Sequence, residues 1–500
     1  MSDNKLNKIS KKMQDELVAC IDNYRPLKDI VQEISKARGR ALLVGGAVRD
    51  LFLEIAIKDL DIEVYGLSLE KLEEILAKFG PVSLVGKSFG VYRSHRLDAD
   101  FSVPRKDSVG RKPTVDIDPF MSFEDAFSRR DLTINAMGID LVSYELIDPF
   151  EGLADLKNKI LAAPDITKFT EDPLRFYRVM QFIGRFEMYP DKELNDICKK
   201  MDISQVSTER ISAEFEKLFL KSRRPSLGIR WLKDIGRLQE VLPQVEDIVG
   251  VKQEPKWHPE GDVFEHTMQC LDAAANINRG CEIFAGEVND DSESGSESVN
   301  SRESDCEKLI IIYGALCHDL GKFLATTNVD GKIKSIGHER VGVKLAKKLL
   351  SKITKNKDLI EAAVKLVQYH MVPCQLVDAN SKPAAFKRLA QKLAPNITMQ
   401  MIAKICLADK QGRNHNSHEP LTDGSECIEK FLKISRDAQV DKRPEAAVLL
   451  GRDLIGEIEP GPQMGKLLKL AYKIQIDKGI VDKQELKNIV MQELGNSGNK

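Results

Sequence analysis

The stretch Ala41-Leu-Leu-Val-Gly-Gly-Ala-Val-Arg-Asp50 leads, through a short spacer, into Lys58-Asp-Leu-Asp-Ile-Glu-Val-Tyr-Gly66. In the second part apolar and polar residues alternate: Leu60, Ile62 and Val64 against Asp59, Asp61, Glu63 and Tyr65. A two-residue period is that of a half-buried strand, and it sets Asp59 and Asp61 on one face about 7 Å apart along the backbone. Neighbouring carboxylates repel; a hard cation such as Mg²⁺ relieves the repulsion and is held by one or two carboxylates together with phosphate oxygens. Gly45 and Gly46 end an apolar strand where backbone N–H groups can close on a phosphate, and Arg49 adds positive charge. The order strand, glycine turn, helix, strand predicts a metal-dependent nucleotidyl-transfer site with Asp59 and Asp61 as its acids.

Downstream, a helix is predicted from Leu69 to Phe79 and a strand over Leu97-Asp-Ala-Asp-Phe-Ser-Val-Pro-Arg105. Asp100 offers a third acid there, with Asp98 on the same face, and reads equally as a structural residue. Next come Arg129-Arg130-Asp131-Leu-Thr-Ile-Asn135-Ala136, whose planar guanidinium groups suit bidentate phosphate binding. The turn Asp148-Pro149 and Gly152 lead into a helix that closes this part. In Glu171-Asp-Pro-Leu-Arg-Phe-Tyr-Arg178, Asp172 can N-cap a helix with Pro173 at its first position. Arg175, Arg178, Gln181 and Arg185 then recur at helical spacing.

Together these motifs resemble the polymerase-β-like nucleotidyltransferases, specifically the class II tRNA CCA-adding enzymes and bacterial poly(A) polymerases. The resemblance implies an α+β protein: a nucleotidyltransferase head with a small mixed sheet over 41–162, then an all-α neck and body over 163–255. It implies that Gly45, Gly46, Arg49 and Arg130 bind the triphosphate and that Asp131 and Asn135 shape the sugar pocket. Asp172 and Arg175 would hydrogen-bond the base edge of CTP and then ATP, and Arg178 would contact the nucleotide. The implied activity is Mg-dependent, template-independent addition of CMP and AMP to the 3′ end of tRNA. One departure bears on it: the family usually reads Arg-x-x-Arg-Phe where this chain has Arg178-Val-Met-Gln181-Phe182. A poly(A) polymerase or an enzyme adding only part of C-C-A stays open as an alternative. So does a phosphohydrolase whose head only binds RNA. The lack of an arginine-rich C-terminal extension favours CCA addition.

A second centre follows. Five of the eight histidines fall between 258 and 370. The pattern is His266, then Cys317-His318-Asp319-Leu-Gly-Lys322, then His338, His370 and Asp409. It resembles an HD phosphohydrolase domain, expected over 256–413. Imidazole and carboxylate together suit a divalent transition metal that acidifies water for attack on a phosphoester. The resemblance implies His266, His318, Asp319 and Asp409 as ligands, with His338 and His370 as second-metal or phosphate contacts and Lys322 neutralising phosphate. His258 reads as structural.

The remainder is predicted helical: 1–40 as a leading extension and 414–500 as a tail. Leu450-Gly-Arg-Asp-Leu-Ile455 and Pro460-Gly-Pro-Gln-Met-Gly-Lys466 resemble the tail of HD-containing CCA-adding enzymes. Around 285–306 serine and acid dominate, and the segment reads as a disordered surface loop. Net charge is −2, yet Glu282 to Glu307 alone carries nine acids and one arginine, leaving +6 elsewhere. Lys199 to Arg237 holds ten basic and five acidic residues, enough for a local phosphate-binding surface. No apolar run approaches the roughly 18 residues of a membrane span, and the N-terminus lacks a signal-peptide core. Nine cysteines without a Cys-x-x-Cys pair favour unpaired thiols in a reducing cytoplasm. No protein partner is implied.

Overall fold

A computed structural model describes residues 8–23, 26–57, 59–85, 90–94, 99–107, 115–281, 283–284 and 297–497. Two compact units result, 1–207 and 208–500. The division falls inside 163–255, the stretch expected to form a single neck and body.

In the first unit, helices α1 (Lys11–Asn23) and α2 (Pro26–Lys36) lead to strand β1 (Arg40–Val44). On α2, Leu27, Ile30, Val31 and Ile34 are buried at the three- and four-residue spacing of one helical face. The chain continues through α3 (Gly46–Phe52), β2 (Leu60–Tyr65), α4 (Leu69–Ala77), β3 (Val82–Val85), β4 (Val91–Ser94) and β5 (Ala99–Ser102). Ser68 caps α4 by accepting the Lys71 N–H. A hairpin, β6 (Arg105–Asp107) with β7 (Val115–Ile117), precedes α5 (Phe123–Ser128), β8 (Gly138–Asp140) and β9 (Leu146–Ile147). Then come α6 (Gly152–Asn158), α7 (Ile166–Phe169) and α8 (Leu174–Phe186).

The main sheet has seven strands in the order β3-β4-β5-β2-β1-β8-β9. All its pairings are antiparallel except β2 with β5, whose register sets Asp61 beside Asp100. Neighbouring residues of a parallel pair share a sheet face, so this one pairing brings two distant acids together. The alternation predicted a half-buried β2, but from Ile62 onward the strand is buried on both faces. Tyr65 stacks edge-on against Phe123 of α5 at 4.8 Å, and its hydroxyl donates to Glu63 at 2.6 Å. A second layer therefore covers the face that the pattern gave to solvent.

The second unit is largely helical. The helix Val263–Ile277 contacts Glu297–Cys317 and Met399–Gln411, and His338–Ile353 lies along Lys357–Tyr369. A short hairpin, Thr327–Val329 with Lys332–Lys334, interrupts them. The tail helices Pro462–Lys478 and Lys483–Ser497 bury an apolar cluster of their own around Leu454, Leu486 and Val490. The serine- and acid-rich stretch expected as a loop departs from that reading in its second half, where helix begins at Glu297 and runs unbroken into the apolar turns before Cys317. Residues 285–296 lie outside the described residues. Among the described residues, no helix is long and apolar enough to cross a membrane.

Candidate functional sites

The first unit opens a cleft of about 410 Å³. Asp61, Glu63 and Asp100 line it together with Arg129, Arg130 and Arg175. Asp61 is exposed to the cleft, yet the surrounding walls desolvate its carboxyl and raise its pKa; Asp100 and Asp59 push in the same direction while Arg130 opposes them. A divalent cation fits such a pair of neighbouring acids. Asp100 is engaged by a bidentate ion pair from Arg93 on β4, with both contacts at 2.9 Å. As a metal ligand it would exchange Arg93 for the cation. Asp98 lies outside the described residues.

Arg130 reaches the cleft through Glu63, to which it donates at 3.1 Å. It also lies against Gly45: at φ +73° that residue sits in the left-handed region, and a Cβ there would meet Arg130 Nη1 at 2.8 Å. Glycine thus admits the arginine, a different service from the phosphate approach expected of the turn. Arg49 departs further from expectation. Its side chain is buried, it donates to Asn135 Oδ1 at 2.5 Å and to Asp50 Oδ1 at 2.6 and 2.9 Å, and it lies over the Phe182 and Phe186 rings. Its charge is spent inside the protein, joining α3 to α8, and not on the cleft.

Asp131 and Asn135, expected at a sugar pocket, belong to the same network. Asp131 accepts from Leu132 N–H and Asn135 Nδ2 with one oxygen and from Arg178 Nε at 2.6 Å with the other. Burial works to raise this carboxyl, but Arg178 and Asn135 hold it below the usual carboxylate range. The helix α8 begins one residue after the predicted start, with the Asp172 carboxylate accepting the Leu174 N–H. Arg175 gives hydrogen bonds to the carbonyls of Lys168 and Arg129 and still lines the cleft. Gln181, in place of the family's second arginine, is 1% exposed and its Nε2 has no partner among the described residues.

In the second unit the histidines converge. His318 Nδ1 lies 2.8 Å from the Ala315 carbonyl, His338 Nδ1 2.8 Å from Ser335, His370 Nδ1 2.7 Å from Val367, and His266 Nδ1 3.0 Å from Gly412. Each carbonyl can only accept, so each Nδ1 carries a proton, and the neutral form of each ring presents a lone pair at Nε2. These lone pairs face one another: His266 and His318 Nε2 are 3.3 Å apart, as are those of His338 and His370. Two lone pairs at that distance cannot hydrogen-bond, but they can flank a cation. Asp319 stands between the two pairs, Oδ2 at 3.2 Å from His318 and Oδ1 at 3.2 Å from His338. Asp409 Oδ1 lies 3.1 Å from His266 Nε2 and accepts from Arg413 at 3.0 Å.

All six expected imidazole and carboxylate groups therefore meet at one centre. Lys322, expected to neutralise phosphate, borders the cavity on this centre, with its Nζ held by Asp319 at 2.6 Å and by Gln253 at 2.7 Å. Gly321 matters more than its motif suggested, since a Cβ there would lie 2.0 Å from the His338 carbonyl. His258 joins Glu260, which also meets His266 Nδ1 at 2.7 Å. Two residues escaped the sequence reading. Glu260 carried no spacing signal, but Cys270 sits four residues after His266 on one helix face, which the helical period could have revealed. The basic stretch is largely paired where it enters this unit: Arg230 holds Glu265, Arg224 holds Glu419 and Arg237 holds Glu240.

A cleft of acids and arginines on a small mixed sheet in one unit, and a buried histidine–aspartate centre in a largely helical second unit, define a nucleotidyltransferase head combined with an HD-type metal domain. The Poly A polymerase head domain matches residues 41–162, and the HD domain matches residues 263–396. A multifunctional CCA protein of Methylococcus capsulatus is 30% identical over 451 residues, covering 86% of this chain and 92% of its own. That of Mannheimia succiniciproducens is 30% identical over 386 residues, 74% of this chain and 84% of its own. The chain belongs to the family of the multifunctional CCA proteins. Its fold is similar to the Thermotoga maritima CCA-adding enzyme complexed with tRNA (TM-score 0.57, 20% identity, 98% of this chain and 99% of that one). It is also similar to the Bacillus stearothermophilus CCA-adding enzyme in complex with CTP (TM-score 0.60, 18% identity, 94% and 97%).

Proposed function

We propose that this chain is a tRNA nucleotidyltransferase that adds CMP and AMP, from CTP and ATP, to the 3′ end of tRNA, and that its HD centre is a metal-dependent phosphohydrolase. The observation that carries the first part is the parallel pairing that sets Asp61 beside Asp100 in a cleft also lined by Arg129, Arg130 and Arg175. Asp59 and Asp61 are the proposed Mg²⁺ ligands, with Asp100 able to join on leaving Arg93. The ion, when bound, lowers the pKa of the attacking 3′-hydroxyl and offsets triphosphate charge.

The protein's own part is positioning and electrostatics. Arg130, fixed by Glu63, offers its remaining N–H groups to the triphosphate. Arg175, with two donors engaged by backbone carbonyls, keeps others for the edge of the incoming base beside Asp172. Arg49, Asp131, Asn135 and Arg178 tie α3 and α8 to the cleft and hold this template rigid. In the HD centre, His266, His318, Asp319 and Asp409 are the proposed ligands of one ion, and His338 and His370, with Asp319 shared, of a second. A divalent ion there acidifies water for attack on a phosphoester.

The test uses purified protein, tRNA lacking its CCA end, and each nucleotide alone or together. CTP should add two residues and CTP with ATP a third, then stop. ATP-only extension beyond one residue would instead indicate a poly(A) polymerase. Arrest after CC or after no C would indicate a partial enzyme, the outcome that the unpartnered Gln181 amide at the family's arginine position would favour.

A further inference from the structure

The HD centre contains a seventh group. Cys270 lies one turn beyond His266 on the helix Val263–Ile277, is fully buried, and points its Sγ to within 3.4 Å of His266 Nε2. Gly412 closes over it so tightly that a Cβ at that position would meet the sulfur at 2.3 Å. The Cys270 sulfur, His266, His318 and Asp409 present ligand atoms within 4.8 Å of one another.

Two of the separations match a tetrahedral geometry. With bonds of about 2.3 Å to sulfur and about 2.05 Å to nitrogen, tetrahedral ligation of zinc separates sulfur from nitrogen by about 3.5 Å and two nitrogens by about 3.3 Å. The observed separations are 3.4 Å from Cys270 to His266 and 3.3 Å from His266 to His318. Access differs within the centre. His266, Cys270 and His318 do not border the cavity of about 620 Å³ that opens on the centre, whereas Asp409, Asp319, His338 and His370 do.

We propose that Cys270 is a thiolate ligand which, with His266, His318 and Asp409, holds a thiophilic divalent ion of the zinc class, taking the coordination place given above to Asp319 and leaving Asp319 to the group it forms with His338 and His370. The inference rests on the reading that this cluster binds metal at all. It goes beyond that reading in adding a sulfur ligand, and with it a preference among metals. Thiolate selects zinc or cobalt over magnesium or manganese, and binding expels the thiol proton.

The test is cobalt titration of metal-free protein, followed optically. The first equivalent should produce strong tetrahedral bands together with a thiolate-to-cobalt charge-transfer band, which zinc bleaches and excess magnesium leaves in place. Cys270→Ser should abolish the charge-transfer band and weaken the first site at least tenfold. The thiols of Cys374, Cys406 and Cys427 lie close together, at 3.3 and 2.9 Å, so Cys374→Ser serves as the control and should keep the band. A band that persists in Cys270→Ser, or a weak six-coordinate spectrum in the wild type, overturns the thiolate ligand while leaving a metal centre in place. Failure of cobalt to bind at all overturns the metal reading and this inference with it. Should Cys270→Ser not fold, X-ray absorption of Cys374→Ser loaded with one zinc equivalent decides. One sulfur at about 2.3 Å supports the proposal, and a shell of nitrogen and oxygen alone refutes it.

Discussion

Replacing Arg178 by alanine removes the guanidinium that sits 2.6 Å from the buried Asp131 carboxylate. Breaking a fully buried pair costs about 3–5 kcal/mol, because the remaining charge is left uncompensated. Two features reduce that figure. The Arg178 side chain is 30% exposed, so water screens it, and Asp131 keeps the Leu132 and Asn135 donors. A loss of about 2 kcal/mol at pH 7 follows. For a unit of this size that is about 4–8 °C in the melting temperature of the first unit.

The pH dependence separates charge from packing. In the wild type the Asp131 pKa is lowered, so its stabilising contribution is complete above the unfolded carboxylate range and is lost as pH falls through the folded value. Without Arg178, burial drives that pKa upward and protonation relieves the stranded charge. The penalty should therefore shrink toward pH 4. Asp131→Asn added to Arg178→Ala should recover most of the loss at pH 7. Calorimetry of the four proteins at pH 7 and near pH 4 measures this. An equal penalty at both values, with no recovery in the double variant, would show that Arg178 acts only by packing over Phe182 and would refute the argument.

Asp61→Ala should abolish nucleotide addition while leaving HD phosphohydrolase turnover intact, read by tRNA extension and phosphate release on the same preparation. Gly45→Ala places a methyl group at φ +73° and against Arg130, and should cost about 1–2 kcal/mol while raising the KM for nucleotide more than it lowers stability. Chelation should lower the melting temperature of the second unit, since an ion at about 100 times its Kd contributes about 2.7 kcal/mol; an unchanged transition would argue against a bound ion. Asp272, buried and pushed up to about 7 against hydrogen bonds from Ser226, keeps its proton in the folded state after the unfolded chain has lost it. Stability from this group is complete below the unfolded pKa and lost as pH rises toward 7, so Asp272→Asn should flatten that decline in urea unfolding.

What the sequence disclosed and what it withheld have separate physical origins. The place of Asp61 in the cleft and the convergence of the histidine–aspartate set were legible because period and spacing report which residues share a face; Asp59, expected beside Asp61, is not among the residues that line the cleft. Arg49 was misread because nothing local says which way a guanidinium turns. Asn135, Asp50 and two phenylalanine rings decide it, and all but Asp50 are far away in the chain. Glu63 and Tyr65 were given to solvent because alternation senses one neighbouring layer and not the second that α5 supplies. The partners of Lys322, Asp319 and Gln253, show only in the fold. Arg93 of β4, which occupies Asp100, belongs to no motif; only strand register reveals it.

The contact of Gly321 with the His338 carbonyl has a consequence for how this protein can drift in sequence. The segment bearing His318 and Asp319 meets the segment bearing His338 main chain to main chain, with no side chain interposed as a spacer. Substitutions that swell or shrink the surrounding core have no residue at this junction through which to change the gap. The separation of the two halves of the centre is thus gauged by the bare polypeptide, and it should persist among relatives whose interiors have been extensively rebuilt.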